Sequence, residues 1–214
     1  MFGGDKGGRD TVETSMNIRR RIGCVVLAAA LAVPVAATAQ SVNVTRSILE
    51  DQPYTLIYPE TMVVSGIAGE PLTINHPNAP LQCTLVILPV EETGWTPQQA
   101  LANLDDAAIT AQWQETFPGF ELGEKATVAY QSTDALFYEG TSTGSPMGMP
   151  ITLVHTETVD SGRGYILDCL YATEVATNAR PIVDFIIANF STRSTAECCI
   201  GAEPVEEQQL VAPE

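Results

Sequence analysis

Between Pro150 and Phe190 the spacing of apolar positions changes period. Ile151–Val159 (ITLVHTETV) largely alternates apolar and polar residues, and a turn follows around Asp160-Ser161-Gly162-Arg163-Gly164. Tyr165–Ala172 (YILDCLYA) is then a mostly apolar, β-rich run. From Asn178-Ala179-Arg180-Pro181 onward the period lengthens toward 3.6, setting Ile182, Val183, Ile186, Ile187 and Phe190 on one side. This succession predicts a hairpin followed by a helix laid across it.

Upstream, Tyr54–Tyr58, Met62–Gly66 and Leu72–Ile74 are short strand candidates punctuated by Pro59, Gly66, Gly69 and Pro71. Gln82–Val90 (QCTLVILPV) is apolar on both faces and predicts a central strand. Thr96 can cap a helix whose first position is Pro97, with Gln99 completing a capping box. The pattern carries this helix to Gln114, with Leu101, Leu104, Ala108, Ala111 and Trp113 facing inward. Asp105 and Asp106 fall on its outer side. Neighbouring helical positions point about 100° apart, so the two read as a solvated face rather than a shared ligand site. Pro118-Gly119 ends the helix. Lys125–Gln131 and Asp134–Thr141 precede the hairpin as two more strands, joined to it by a long connection, Ser142–Pro150, that lacks the lysine and following helix of a phosphate loop. The fold class is α+β, an antiparallel β-sheet packed against helices in an α/β/α-type sandwich.

The ends carry different signals. From Met16, Arg19-Arg20-Arg21, an apolar stretch from Ile22 to Ala36, and Ala37-Thr38-Ala39 make the three parts of a secretory signal peptide. The apolar run, about 15 residues and broken by Pro34, is short of the roughly 20 a membrane span needs. Met1–Ser15 is a Gly-rich, polar extension, and Arg21 stands where a lipobox before Cys24 would need an aliphatic residue. Cleavage after Ala39 leaves a polar leader over 40–53, one globular domain over 54–191, and an acidic, mobile tail over 192–214. The product is then periplasmic or secreted and does not span the membrane.

Export changes the charge. The whole chain has a formal net charge of −16. Losing five basic residues (Lys6, Arg9, Arg19, Arg20, Arg21) and three acidic ones (Asp5, Asp10, Glu13) brings the mature chain to −18. Such a surface repels nucleic acid and anionic lipid. Cys83, Cys169, Cys198 and Cys199 remain, and an oxidising compartment favours disulfides. Cys83–Cys169 is the favoured pairing because both lie in core strands. The rival joins Cys198 or Cys199 to a core cysteine, and a bond between the adjacent pair would strain the intervening peptide. No motif indicates a cofactor or metal, since His76 and His155 lie far apart in sequence.

His155 is the one candidate for acid–base chemistry. It shares a strand face with Glu157, and Asp168 on the next strand is a second carboxylate. A histidine satisfied at the edge of the core fits the same pattern. No serine stands in a GxSxG elbow, and no third residue completes a triad.

The order of elements, with Gly164-Tyr165-Ile166-Leu167-Asp168-Cys169 pairing against a closing helix that ends Ile186-Ile187-Ala188-Asn189-Phe190-Ser191, resembles the PsbP-type fold, named for an extrinsic subunit of photosystem II. The resemblance spans Tyr54–Ser191 and rests on pattern. It implies an antiparallel sheet between helices and roles in binding or assembly of other proteins, with no catalytic motif to carry over. Two functions follow: an exported, non-catalytic binding or accessory protein whose partner is another envelope protein or a small ligand, or a small periplasmic hydrolase or other enzyme using His155 with Glu157 or Asp168.

Overall fold

In the computed structural model the chain forms β1 (Gln40–Ser47), β2 (Tyr54–Pro59), β3 (Val63–Ser65), β4 (Leu72–Asn75), β5 (Leu81–Pro89), α1 (Pro97–Ala102), α2 (Asp106–Gln114), β6 (Glu121–Ala129), β7 (Asp134–Ser142), β8 (Ile151–Asp160), β9 (Arg163–Ala172), α3 (Ala176–Ala188) and β10 (Ala202–Leu210). Residues 41–47, 49, 52–65, 71–91 and 94–197 are described in full, and 40 and 202–210 by their backbone. All fall within one unit, Thr38–Glu214. The expected signal peptide and Cys198-Cys199 lie outside the described residues.

Seven strands make one antiparallel sheet in the order β3-β4-β5-β9-β8-β7-β6. A second sheet, ordered β10-β1-β2, was not expected. The supposed polar leader is where β1 begins: Val42 and Val44 alternate with polar residues and are buried beside Ile57. The segment expected as an acidic, mobile tail supplies β10, which pairs with β1 in parallel.

The large sheet has helices on both sides. Tyr165, Leu167, Cys169 and Tyr171 of β9, with Cys83 and Leu85 of β5, face α3 and β2 in the main core. Val183, Ile186, Ile187 and Phe190 are buried there, as the 3.6 period requires. The helix opens at Ala176 after one 3₁₀ turn, Thr173–Val175, so Pro181 lies inside it rather than at its start. The disulfide Cys83–Cys169 joins β5 to β9 at directly opposed positions, with Cα atoms 4.0 Å apart.

The opposite face carries a smaller core of Phe117, Phe120, Tyr138, Ile151 and Leu153, with Leu104, Ile109 and Trp113 packed against it. The expected single helix over this face is two. Thr96 caps α1 by accepting from the Gln99 N–H, as expected. Asn103 then ends α1, and Asp105 caps α2 by accepting from the N–H groups of Ala107 and Ala108. The break rotates the second half, leaving Ala108 and Ala111 exposed and turning Ile109 inward. Asp106 is spent on the surface, pairing with Lys125 at 2.7 Å. Because α1 and α2 pack over β6 and β7, the β5 end of this face stays open: Leu88 there is 47% exposed. β5 is interior in the sheet but buried on one side only, which corrects the reading of two apolar faces.

Candidate functional site

Cross-strand register builds a polar row on the open face. Ser65, Thr73, Thr84, Asp168, His155, Tyr138 and Lys125 are successive partners from β3 to β6, one residue per strand. His155 sits in the middle of this row and is 6% exposed. Its Nδ1–H donates to Asp168 Oδ1 at 2.6 Å. Its Nε2 lies 3.6 Å from Glu157 Oε2, which is ion-pair range rather than a full hydrogen bond. The side chains of Asp168 and Glu157 are 24% and 34% exposed, so the histidine is buried while its two carboxylates reach solvent.

Aromatic rings enclose the imidazole. Tyr138 stacks on it with centroids 4.2 Å apart and planes 14° from parallel. Trp113 approaches edge-on at 6.4 Å and donates its indole N–H to the Tyr138 hydroxyl at 2.9 Å. Gly140, two residues along β7, is where the Phe120 ring comes down onto the sheet: a Cβ there would run into that ring and stand 2.9 Å from the Glu121 carbonyl oxygen. Phe120 in turn packs near Trp113, so the glycine lets the aromatic lid close over the row.

These surroundings decide the charge on His155. Burial works against the protonated ring, but the Asp168 hydrogen bond and the charges of Asp168 and Glu157 outweigh it and raise the pKa from 6.5 to about 9. At neutral pH the imidazole is a cation held between two carboxylates. Burial also raises the Tyr138 hydroxyl well above its ordinary value, so it stays protonated. The arrangement can hold positive charge and orient carboxylates. It is poorly suited to taking a proton at neutral pH, because both ring nitrogens already carry one.

The structure thus brings together all three candidates, His155, Glu157 and Asp168. Sequence reasoning missed Tyr138 and Trp113, which lie 25 residues apart and meet only through the sheet. The signal available for them was slight: Tyr138 lies on an expected strand and Trp113 at an expected inward helical position.

No family model and no curated protein matches the sequence. Among solved structures the chain is similar to cyanobacterial PsbP (CyanoP) from Synechocystis sp. PCC 6803, at 13% identity over 68% of this chain and 89% of that one, with a TM-score of 0.50. It is also similar to LpqN, involved in cell envelope biogenesis of Mycobacterium tuberculosis (12% identity, 64% of this chain, 82% of that one, TM-score 0.46). A third is the Ran-binding protein Mog1p of Saccharomyces cerevisiae (8% identity, 66% and 91%, TM-score 0.45). At 13% identity the likeness to cyanobacterial PsbP speaks to fold. The chain has a PsbP-like fold.

Proposed function

We propose that this is an exported, non-catalytic binding or accessory protein that works through its surface. One observation carries the reading: the histidine of the candidate site is buried, with Nδ1 hydrogen-bonded to Asp168 and Nε2 3.6 Å from Glu157, a setting that favours the protonated ring. A general base needs a free nitrogen and a pKa near the working pH, and His155 has neither. The disulfide supports export, since such bonds persist in oxidising compartments. The partner is an envelope protein rather than a nucleic acid, which the charge of −16 repels.

The short His155–Asp168 contact is also what a hydrolytic dyad would use, and that reading is tested directly. The purified chain and His155→Gln are assayed on generic ester and peptide substrates, with near-UV circular dichroism to verify the fold. The expected outcome is no hydrolysis that depends on His155. Turnover that disappears in a folded His155→Gln variant would overturn the assignment.

A further inference from the structure

A hollow lies on the open side of the sheet, next to the clamp that Asp168 and Glu157 form on His155. Its volume is about 180 Å³, and its lining includes Leu88, Val90, Val159 and Ile166 together with Trp95 and Glu157. Small-molecule sites run to roughly 300–1,000 Å³, so this space suits one long side chain better than a whole ligand.

Trp95 and Glu157 each have capacity left over. Trp95 is half-buried, yet it belongs to none of the three hydrophobic clusters. Among the described residues its ring stacks on nothing and its indole N–H has no acceptor. Trp113 is the contrast, with its ring packed on Phe117 and its N–H given to Tyr138. Glu157 spends one oxygen at 3.6 Å from His155, and its other oxygen accepts no hydrogen bond among the described residues. No lysine or arginine lines the hollow. Several other carboxylates among the described residues are already paired: Asp106 with Lys125, Asp168 with His155, and Glu139 and Asp184 with Arg180.

An available carboxylate, an unstacked indole face and aliphatic walls are together what a guanidinium on an apolar stem requires. The head pairs with the carboxylate and lies against the indole, while the methylenes replace water along Leu88, Val159 and Ile166. We propose that this hollow seats an arginine side chain of a partner protein. The proposal rests on the binding-protein reading and names the surface that reading needs. The net charge of −16 draws a basic partner toward it, and Leu88, 47% exposed, gives the rim an apolar contact.

The test follows the Trp95 and Trp113 indole resonances of the full chain by NMR while a blocked Ala-Arg-Ala peptide is added, with the citrulline peptide as the uncharged control. The arginine peptide should displace the Trp95 resonance saturably and leave Trp113 in place. Citrulline, Glu157→Gln and Trp95→Leu should each weaken binding about tenfold, the worth of one contact to a charged group; for Trp95→Leu the readout is the Leu88 methyl resonance. The Trp95 side chain makes no hydrogen bond among the described residues, so Trp95→Leu remains informative if Glu157→Gln disturbs the clamp. Equal binding of the two peptides, or no saturable displacement, overturns the proposal. Tighter binding of free arginine than of the blocked peptide also overturns it, by pointing to a small-molecule ligand. Mass spectrometry of the recovered peptide separates the two readings: cleavage would sink the non-catalytic function and this proposal with it, whereas an intact peptide that does not bind sinks the proposal alone.

Discussion

Replacing His155 by glutamine should remove a pH dependence of stability and leave the fold intact. Glutamine can still donate to Asp168 but cannot titrate. In the native protein the imidazole faces Asp168 from β9, Glu157 from its own strand, the protonated hydroxyl-bearing ring of Tyr138 from β7, and the edge of Trp113. Its pKa rises from 6.5 to about 9 on folding. At 1.36 kcal/mol per pH unit that corresponds to about 3 kcal/mol, and solvent around the part-exposed carboxylates trims it toward about 2. The folded-state value is the higher one, so the stabilisation is fully present below about pH 6.5 and is lost as pH rises through about 9. Urea unfolding between pH 6 and 10, followed by tryptophan fluorescence, measures it. The wild type should lose about 2–3 kcal/mol relative to His155→Gln across that range. Parallel curves, agreeing within the roughly 0.5 kcal/mol scatter of such comparisons, would refute the argument that His155 is a clamped cation.

Three other outcomes are expected. Replacing Cys83 and Cys169 together by alanine should lower stability by up to about 4–5 kcal/mol, the chain-entropy limit for a loop of this size. A loss below about 1 kcal/mol in guanidinium unfolding would contradict that account. Gly140→Ala should cost about 1–3 kcal/mol, because its Cβ meets the Phe120 ring, and should broaden the Trp113 and Phe120 resonances; a variant as stable as wild type would show that the aromatic lid shifts freely. Intact-mass measurement of protein from the native host should give an N-terminus at Gln40, and a cytoplasmic product that keeps Met16 would remove the case for export.

Much of the fold was legible because the decisive signals are local. The two-residue period of β8 and β9, the 3.6-residue period of α3 and the Thr96 cap each need only a short window of sequence. The Cys83–Cys169 pairing was reachable because both residues lie in core strands. The failures have local causes too. Val42-Asn43-Val44-Thr45 alternates like a strand, but so short a run beside a polar segment did not outweigh the expectation of a leader. In sequence Asp105 reads as part of a solvated face of one continuous helix, whereas in the structure it accepts two backbone N–H groups and starts a second helix. The site itself was half legible. The residue types at 155, 157 and 168 were visible, but the state of His155 depends on register and burial. The same three residues on an open cleft would be a base and its partners. Enclosed by Tyr138 and Trp113, they form an ion cluster.

The disulfide also fixes how this chain can bear tension. Residues 84–168 lie inside the loop that Cys83–Cys169 closes, and that loop contains β6, β7, β8 and the whole His155 cluster. A force pulling the two ends apart passes directly from β5 to β9 through sulfur. About 300 Å of extended chain stays out of the load path while the bond is oxidised. The clamp and the hollow beside it can therefore keep their geometry while the flanking strands are stretched, and reduction would release that hidden length at once.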